Sequence, residues 1–103
     1  MGSVQEIVRL MVELMSVGAG AFELAHGSDA LSIAQEVEAA LMARLEGNLG
    51  HVVLWEQFLR TPMEVDDAVA GVVQQHVDRD SVLAAWLHDA VGRYRAITGK
   101  GEA

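Results

Sequence analysis

Along almost the whole chain apolar residues recur at the three- and four-residue spacing of a helix, and no stretch shows the alternation of a strand. The sharpest pattern opens at Pro62. Thr61 stands at the N-cap position, Pro62 at the first helical position, where its missing N–H costs nothing, and Glu64 three residues after the cap. Val65, Ala68, Val69, Val72, Val73 and His76 then share one face, with Glu64, Asp66, Asp67, Gln74 and Gln75 opposite, which predicts a helix to about Val77. Asp66 and Asp67 fall in its first turn, where the helix dipole favours negative charge. The last helix is capped by Asp80 or Asp78 and carries Leu83, Trp86, Leu87, Ala90, Val91, Tyr94 and Ile97 on its apolar stripe. Arg93 and Arg95 lie near its end, Asp89 and Arg93 are spaced for an i,i+4 pair, and Gly99 supplies a stop. Residues from about 99 to 103 read as a frayed tail.

Upstream, a helix is expected from about Asp29 to Glu46, with Ala30, Ile33, Ala34, Val37, Leu41 and Leu45 inward and a second possible capping box at Ser32–Gln35. A shorter one follows from about Leu49 to Arg60, with Asn48 as its cap. The N-terminal segment from Val4 to Val17 is different, because Gln5, Arg9, Glu13 and Ser16 make only a narrow polar stripe. A helix apolar around most of its circumference belongs either at the centre of a bundle or under another chain. Gly18-Ala19-Gly20-Ala21 then break or kink it before Phe22 to His26 resume the pattern. With no repeat and no domain-dividing linker, residues 1–103 read as one all-α domain. The expected fold is a compact bundle of five to six short, mostly antiparallel helices.

Composition narrows the functions available. The chain is 51% apolar, which argues against disorder, and it has no cysteine, so disulfides and thiolate chemistry are excluded. That fits a reducing compartment, and a cytoplasmic location is the expectation. A net charge of −8 with only seven scattered Lys and Arg disfavours nucleic acid and anionic membrane surfaces as partners. The most apolar stretch, Leu10 to Ala25, is interrupted by Glu13 and Glu23 and is too short to span a bilayer.

One motif could carry metal chemistry. Glu23-Leu24-Ala25-His26 has the Glu-x-x-His spacing that aims a carboxylate and an imidazole from one helix face toward a di-metal site. Such sites need two motifs and two further glutamates, whereas this chain has one motif just before a Gly-Ser break, so a helix-terminal histidine beside a solvated Glu23 is the simpler reading. His76 lies on an apolar face as a boundary residue or a pH-sensitive contact, His51 sits near a helix start, and His88 faces the polar side. The carboxylate pairs Glu36/Glu38, Asp66/Asp67 and Asp78/Asp80 point to different sides of their helices and form no acid/base couple. No nucleophile elbow, phosphate-binding glycine loop or calcium loop is present, so neither catalysis nor a cofactor is expected.

The apolar excess carries the functional expectation. The helix around Trp55 holds Val52, Val53, Leu54, Trp55, Phe58 and Leu59, more than one buried face uses. A non-enzymatic module is expected, binding a protein partner or its own copy through Leu10, Leu14, Val17, Val52, Trp55 and Leu59. In its helix count and its Gly18–Gly20 break the chain resembles death-fold-type adaptors, including the effector-associated domains of bacterial defence proteins, although the long second helix departs from their pattern. That resemblance implies a six-helix assembly module. Two alternatives stand beside it. One is a metal-binding, oxidoreductase-like bundle using Glu23 and His26, with His76 as a further ligand. The other is a small-ligand site across a dimer, lined by Met11, Met15 and Phe22.

Overall fold

The protein, seen in a computed structural model that describes residues 3–98, folds as an all-α bundle. Among the described residues the helices are α1 (Ser3–Val17), α2 (Ala19–His26), α3 (Ser28–Leu45), α4 (Leu49–Arg60), α5 (Pro62–Arg79) and α6 (Ser81–Thr98). The expected stop at Gly99 and the tail after it lie outside the described residues.

Single residues make four of the five junctions, and two of them are glycines used identically. Gly18 donates its N–H to the Leu14 carbonyl, ending α1, and its own carbonyl accepts from Phe22, opening α2. Gly27 repeats this, donating to Glu23 and accepting from Leu31. Their dihedrals nearly coincide, φ 88° and ψ 159° at Gly18 and φ 97° and ψ 163° at Gly27, a region open essentially only to glycine. At these two positions the helix direction changes without a loop. Gly27 therefore starts the third helix one residue before Asp29, and the alternative box at Ser32 goes unused.

Side-chain caps hold two other starts as expected. Asn48 Oδ1 accepts from the His51 N–H at 3.1 Å, and Asp80 Oδ1 accepts from Val82 and Leu83 at 3.1 and 3.0 Å. The capping box at Thr61 is a correction. Its hydroxyl donates backward to the Gln57 carbonyl at 3.1 Å, so it closes α4 rather than opening α5. Pro62 at the start of α5 and the Thr61 carbonyl, which accepts from Glu64, suffice there.

One continuous core joins all six helices. The broadly apolar first helix is its axis, since α1 packs against α2, α3, α5 and α6. Val4, Ile7, Val8, Leu10, Met11 and Leu14 are buried there, and Val12 and Met15 are half-buried. Of the two readings of that helix, the central one is therefore correct. Trp55 also turns inward, 4% exposed and packed on Phe58 with ring centroids 5.2 Å apart, although its indole N–H finds no hydrogen-bond partner among the described residues. An unpaired buried donor costs about 1–3 kcal/mol, and burial of a large aromatic surface outweighs or matches it. Surface ion pairs such as Asp89–Arg93 (3.0 Å) and the two-pronged Arg95–Glu6 contact add little beside the core, because both pairs are solvent-screened.

Candidate functional site

The six residues expected at a partner surface divide between core and exterior. Leu10, Leu14 and Trp55 are 7%, 7% and 4% exposed, so they are core residues that show at most an edge at the surface. The physical reason is local: α1 is surrounded by four helices, and the three-residue spacing of Trp55 and Phe58 turns both rings inward from α4. Val17 and Leu59 remain exposed and Val52 is half-buried. The ligand pocket expected across a dimer is also corrected, because Met11 and Phe22 are wholly enclosed in the core and only Met15 reaches partly to the surface.

Of Val17, Val52 and Leu59, the last lines an open groove. It has a volume of about 290 Å³ and is lined by Leu14 and Met15 of α1, Gly18 and Ala19 at the first junction, Gln35 and Glu38 of α3, and Leu59 of α4. Leu14 offers only its outer edge to this floor. Val17 directly precedes Gly18, and Met42 lies one turn beyond Glu38 on α3. Both are large exposed apolar side chains, as is Leu59. Gly18, which ends α1, and Ala19, which opens α2, both belong to the groove's lining. Its lining holds one carboxylate, Glu38, and no basic side chain.

The Glu-x-x-His motif is taken apart by the fold. Glu23 is exposed, whereas His26 turns back so that its Nε2 contacts Glu13 Oε2 on α1. The His26 ring also lies 4.7 Å from the Phe22 ring and 6.2 Å from that of Tyr94 on α6, and Phe22 and Tyr94 are 6.4 Å apart. This cluster fastens α2 to α1 and α6. Burial, with Glu13 adding to it, pushes the Tyr94 phenol above its ordinary value and keeps it protonated. No three histidine or carboxylate side chains converge as a metal set among the described residues, so the proposed pairing of Glu23 with His26 and His76 is not assembled. Glu13 was legible only as one member of a polar stripe. Nothing along the chain connects it to a histidine thirteen residues on, beyond a glycine turn.

A second pairing also crosses the sequence. His51 in the first turn of α4 meets His76 in the last turns of α5, with Nδ1 of the former 3.2 Å from Nε2 of the latter and the rings edge to face at 5.3 Å. Beside them Arg44, at the end of α3, donates to Asp80 Oδ2 at 3.1 Å. Asp80 thus caps α6 with one oxygen and pairs with Arg44 through the other. The Leu83 N–H above all holds its carboxyl below the usual range; desolvation opposes this, and Arg44 and the Val82 N–H add to the lowering.

The His76 imidazole is held below its ordinary 6.5, first by burial and then by His51, Arg79 and Arg44, with Asp80 opposing. The unfolded chain therefore takes up this proton at a higher pH than the native one. The stability tied to neutral His76 is whole above about 6.5 and is lost as the pH falls toward the native value. Urea midpoints of the wild type are expected to drop below that pH, and His76→Gln should flatten the part of the decline nearest 6.5. An identical decline in the variant would contradict this assignment.

No family model, curated protein or solved structure matches this chain. No helix among the described residues is long and apolar enough to cross a membrane.

Proposed function

We propose that this protein is a non-enzymatic interaction module that docks an amphipathic helix of a protein partner in the groove at the α1–α2 junction. The observation that carries the reading is an open groove whose apolar lining of Leu14, Met15 and Ala19 is joined by exposed Leu59. Exposed apolar side chains scattered singly need no explanation, whereas apolar side chains gathered around a concavity have the form of a helix-in-groove site. The partner helix carries basic residues beside its apolar anchors, because the groove holds Glu38 without a compensating cation in its lining and the chain as a whole is at −8. A chain without cysteine is suited to the cytosol, where we place it. The six-helix arrangement with a glycine-broken first helix is in keeping with an adaptor of death-fold type. That likeness supports an assembly role and names no partner. The metal-dependent alternative loses its support with the separation of Glu23 from His26.

The test is selection of amphipathic helical peptides on the purified protein, counter-selected against Leu59→Glu. Enriched sequences should show apolar residues at i, i+3, i+4 and i+7 with Lys or Arg between them. Each should lose at least about tenfold in affinity, roughly 1.4 kcal/mol, on Leu59→Glu or Ala19→Glu. Peptides that bind these variants as well as the wild type would refute the docking site. A dimer abolished by Leu59→Glu would instead assign the groove to a second copy of this chain.

A further inference from the structure

We propose that His51 and His76 form a transition-metal site, with two imidazole nitrogens as its protein ligands and solvent completing the coordination. The geometry is the argument. Two cis or tetrahedral nitrogens bound to zinc at about 2.0–2.1 Å stand about 2.9–3.4 Å apart, and His51 Nδ1 and His76 Nε2 are separated by 3.2 Å. The donors come from different helices, the first turn of α4 and the last turns of α5, and α4 packs directly on α5. The spacing is therefore set by the fold before any metal arrives. The two positions are half-buried, so their nitrogens are within reach of a hydrated ion.

Both rings must offer a lone pair, and in the metal-free protein one of them donates its proton to the other. Binding requires only that the donating ring carry this proton on its other nitrogen. With both imidazoles neutral the metal exchanges two water ligands for two nitrogens, and no proton is released to solvent. The surrounding charges set the strength of the site. Arg44 is paired to Asp80 at 3.1 Å, which leaves Arg79 as a cation near His76 that opposes a second positive charge. An imidazole pair selects zinc, nickel or copper ions and discriminates against magnesium and calcium, which demand oxygen ligands.

The experiment is titration of the full, tag-free chain with zinc chloride, followed by calorimetry and by the imidazole carbon-bound proton resonances of all four histidines. One equivalent of zinc is expected to bind, shifting the His51 and His76 resonances and leaving those of His26 and His88 in place. His51→Gln and His76→Gln should each weaken binding by about tenfold or more, while His26→Gln and His88→Gln leave it intact. Magnesium chloride should produce no shift. Circular dichroism confirms that each variant is folded before it is scored. Failure of zinc to saturate below millimolar concentration, equal binding by the His51→Gln/His76→Gln double variant, or shifts centred on His26 or His88 would each overturn the assignment. Because the groove at Gly18 and Leu59 includes neither histidine, failure of this site leaves the docking proposal standing, and the converse also holds.

Discussion

Replacing Phe22 by alanine should cost about 3–5 kcal/mol, the range of a fully buried aromatic cut back to a methyl group. Against a total stability of about 5–15 kcal/mol for an ordinary domain, that is the largest single-residue effect expected here. The position makes the argument stronger than burial alone. α2 has only eight residues, and an isolated helix of that length is unstable in water because nucleation is costly. Phe22 is the one buried residue it contributes. The ring is wholly enclosed and lies against His26 and Tyr94. Without it, α2 retains the His26–Glu13 contact and backbone bonds that water competes for. The loss should therefore take two forms: a lower urea midpoint, and amide hydrogens in residues 19–26 that exchange faster than those of α1 and α6. Leu24→Ala, in the same helix but 91% exposed, is the matched control and should stay within about 0.5 kcal/mol of wild type. A Phe22→Ala protein within about 1 kcal/mol of wild type, with α2 amides still protected, would show that something else anchors this helix.

Alanine at Gly27 or Gly18 is expected to destabilise by about 1–3 kcal/mol each, the cost of a side chain in a backbone region reserved for glycine. Space is not the obstacle, since a Cβ at either residue would meet nothing within 4 Å. The penalty comes from φ alone, +97° at Gly27 and +88° at Gly18. Gly71 separates the two causes. It lies within α5, a Cβ there would also meet nothing within 4 Å, and its φ is not positive. Gly71→Ala should therefore stabilise by about 0.5–1 kcal/mol, through helix propensity and a less flexible unfolded chain. Opposite signs at sites with equal room are the expected result from urea unfolding of the three variants. A stabilising Gly18→Ala would mean that α1 can run straight into α2, removing the turn that lines the groove. That variant is also informative for binding, because a continuous helix would displace Ala19 from the groove lining.

The helices themselves were written in local chemistry. Apolar spacing placed all six segments, with Asn48 and Asp80 as working caps, Pro62 as a start and the Gly18 region as a break. Each of these signals acts over a turn or less, within reach of one stretch of chain. Thr61 shows the limit even at that range, because a one-residue junction offers its hydroxyl a carbonyl behind as well as amides ahead, and the one behind wins.

Helix packing decided everything that lies between segments. Composition and periodicity alone determined an all-helical chain whose N-terminal helix had to be covered on most sides. Which chain covers it is a matter of tertiary arrangement, and α2, α3, α5 and α6 of the same molecule do so, leaving Leu10 and Leu14 at most an edge at the surface. The same holds for chemistry: Glu13 meets His26 across thirteen residues and His51 meets His76 across twenty-five. Hydrophobic burial is non-directional and rewards any partner that excludes water, so a periodic sequence states how much surface each helix must hide. Close packing of whole helices then selects the neighbours, and with them which polar side chains come to lie a bond length or two apart.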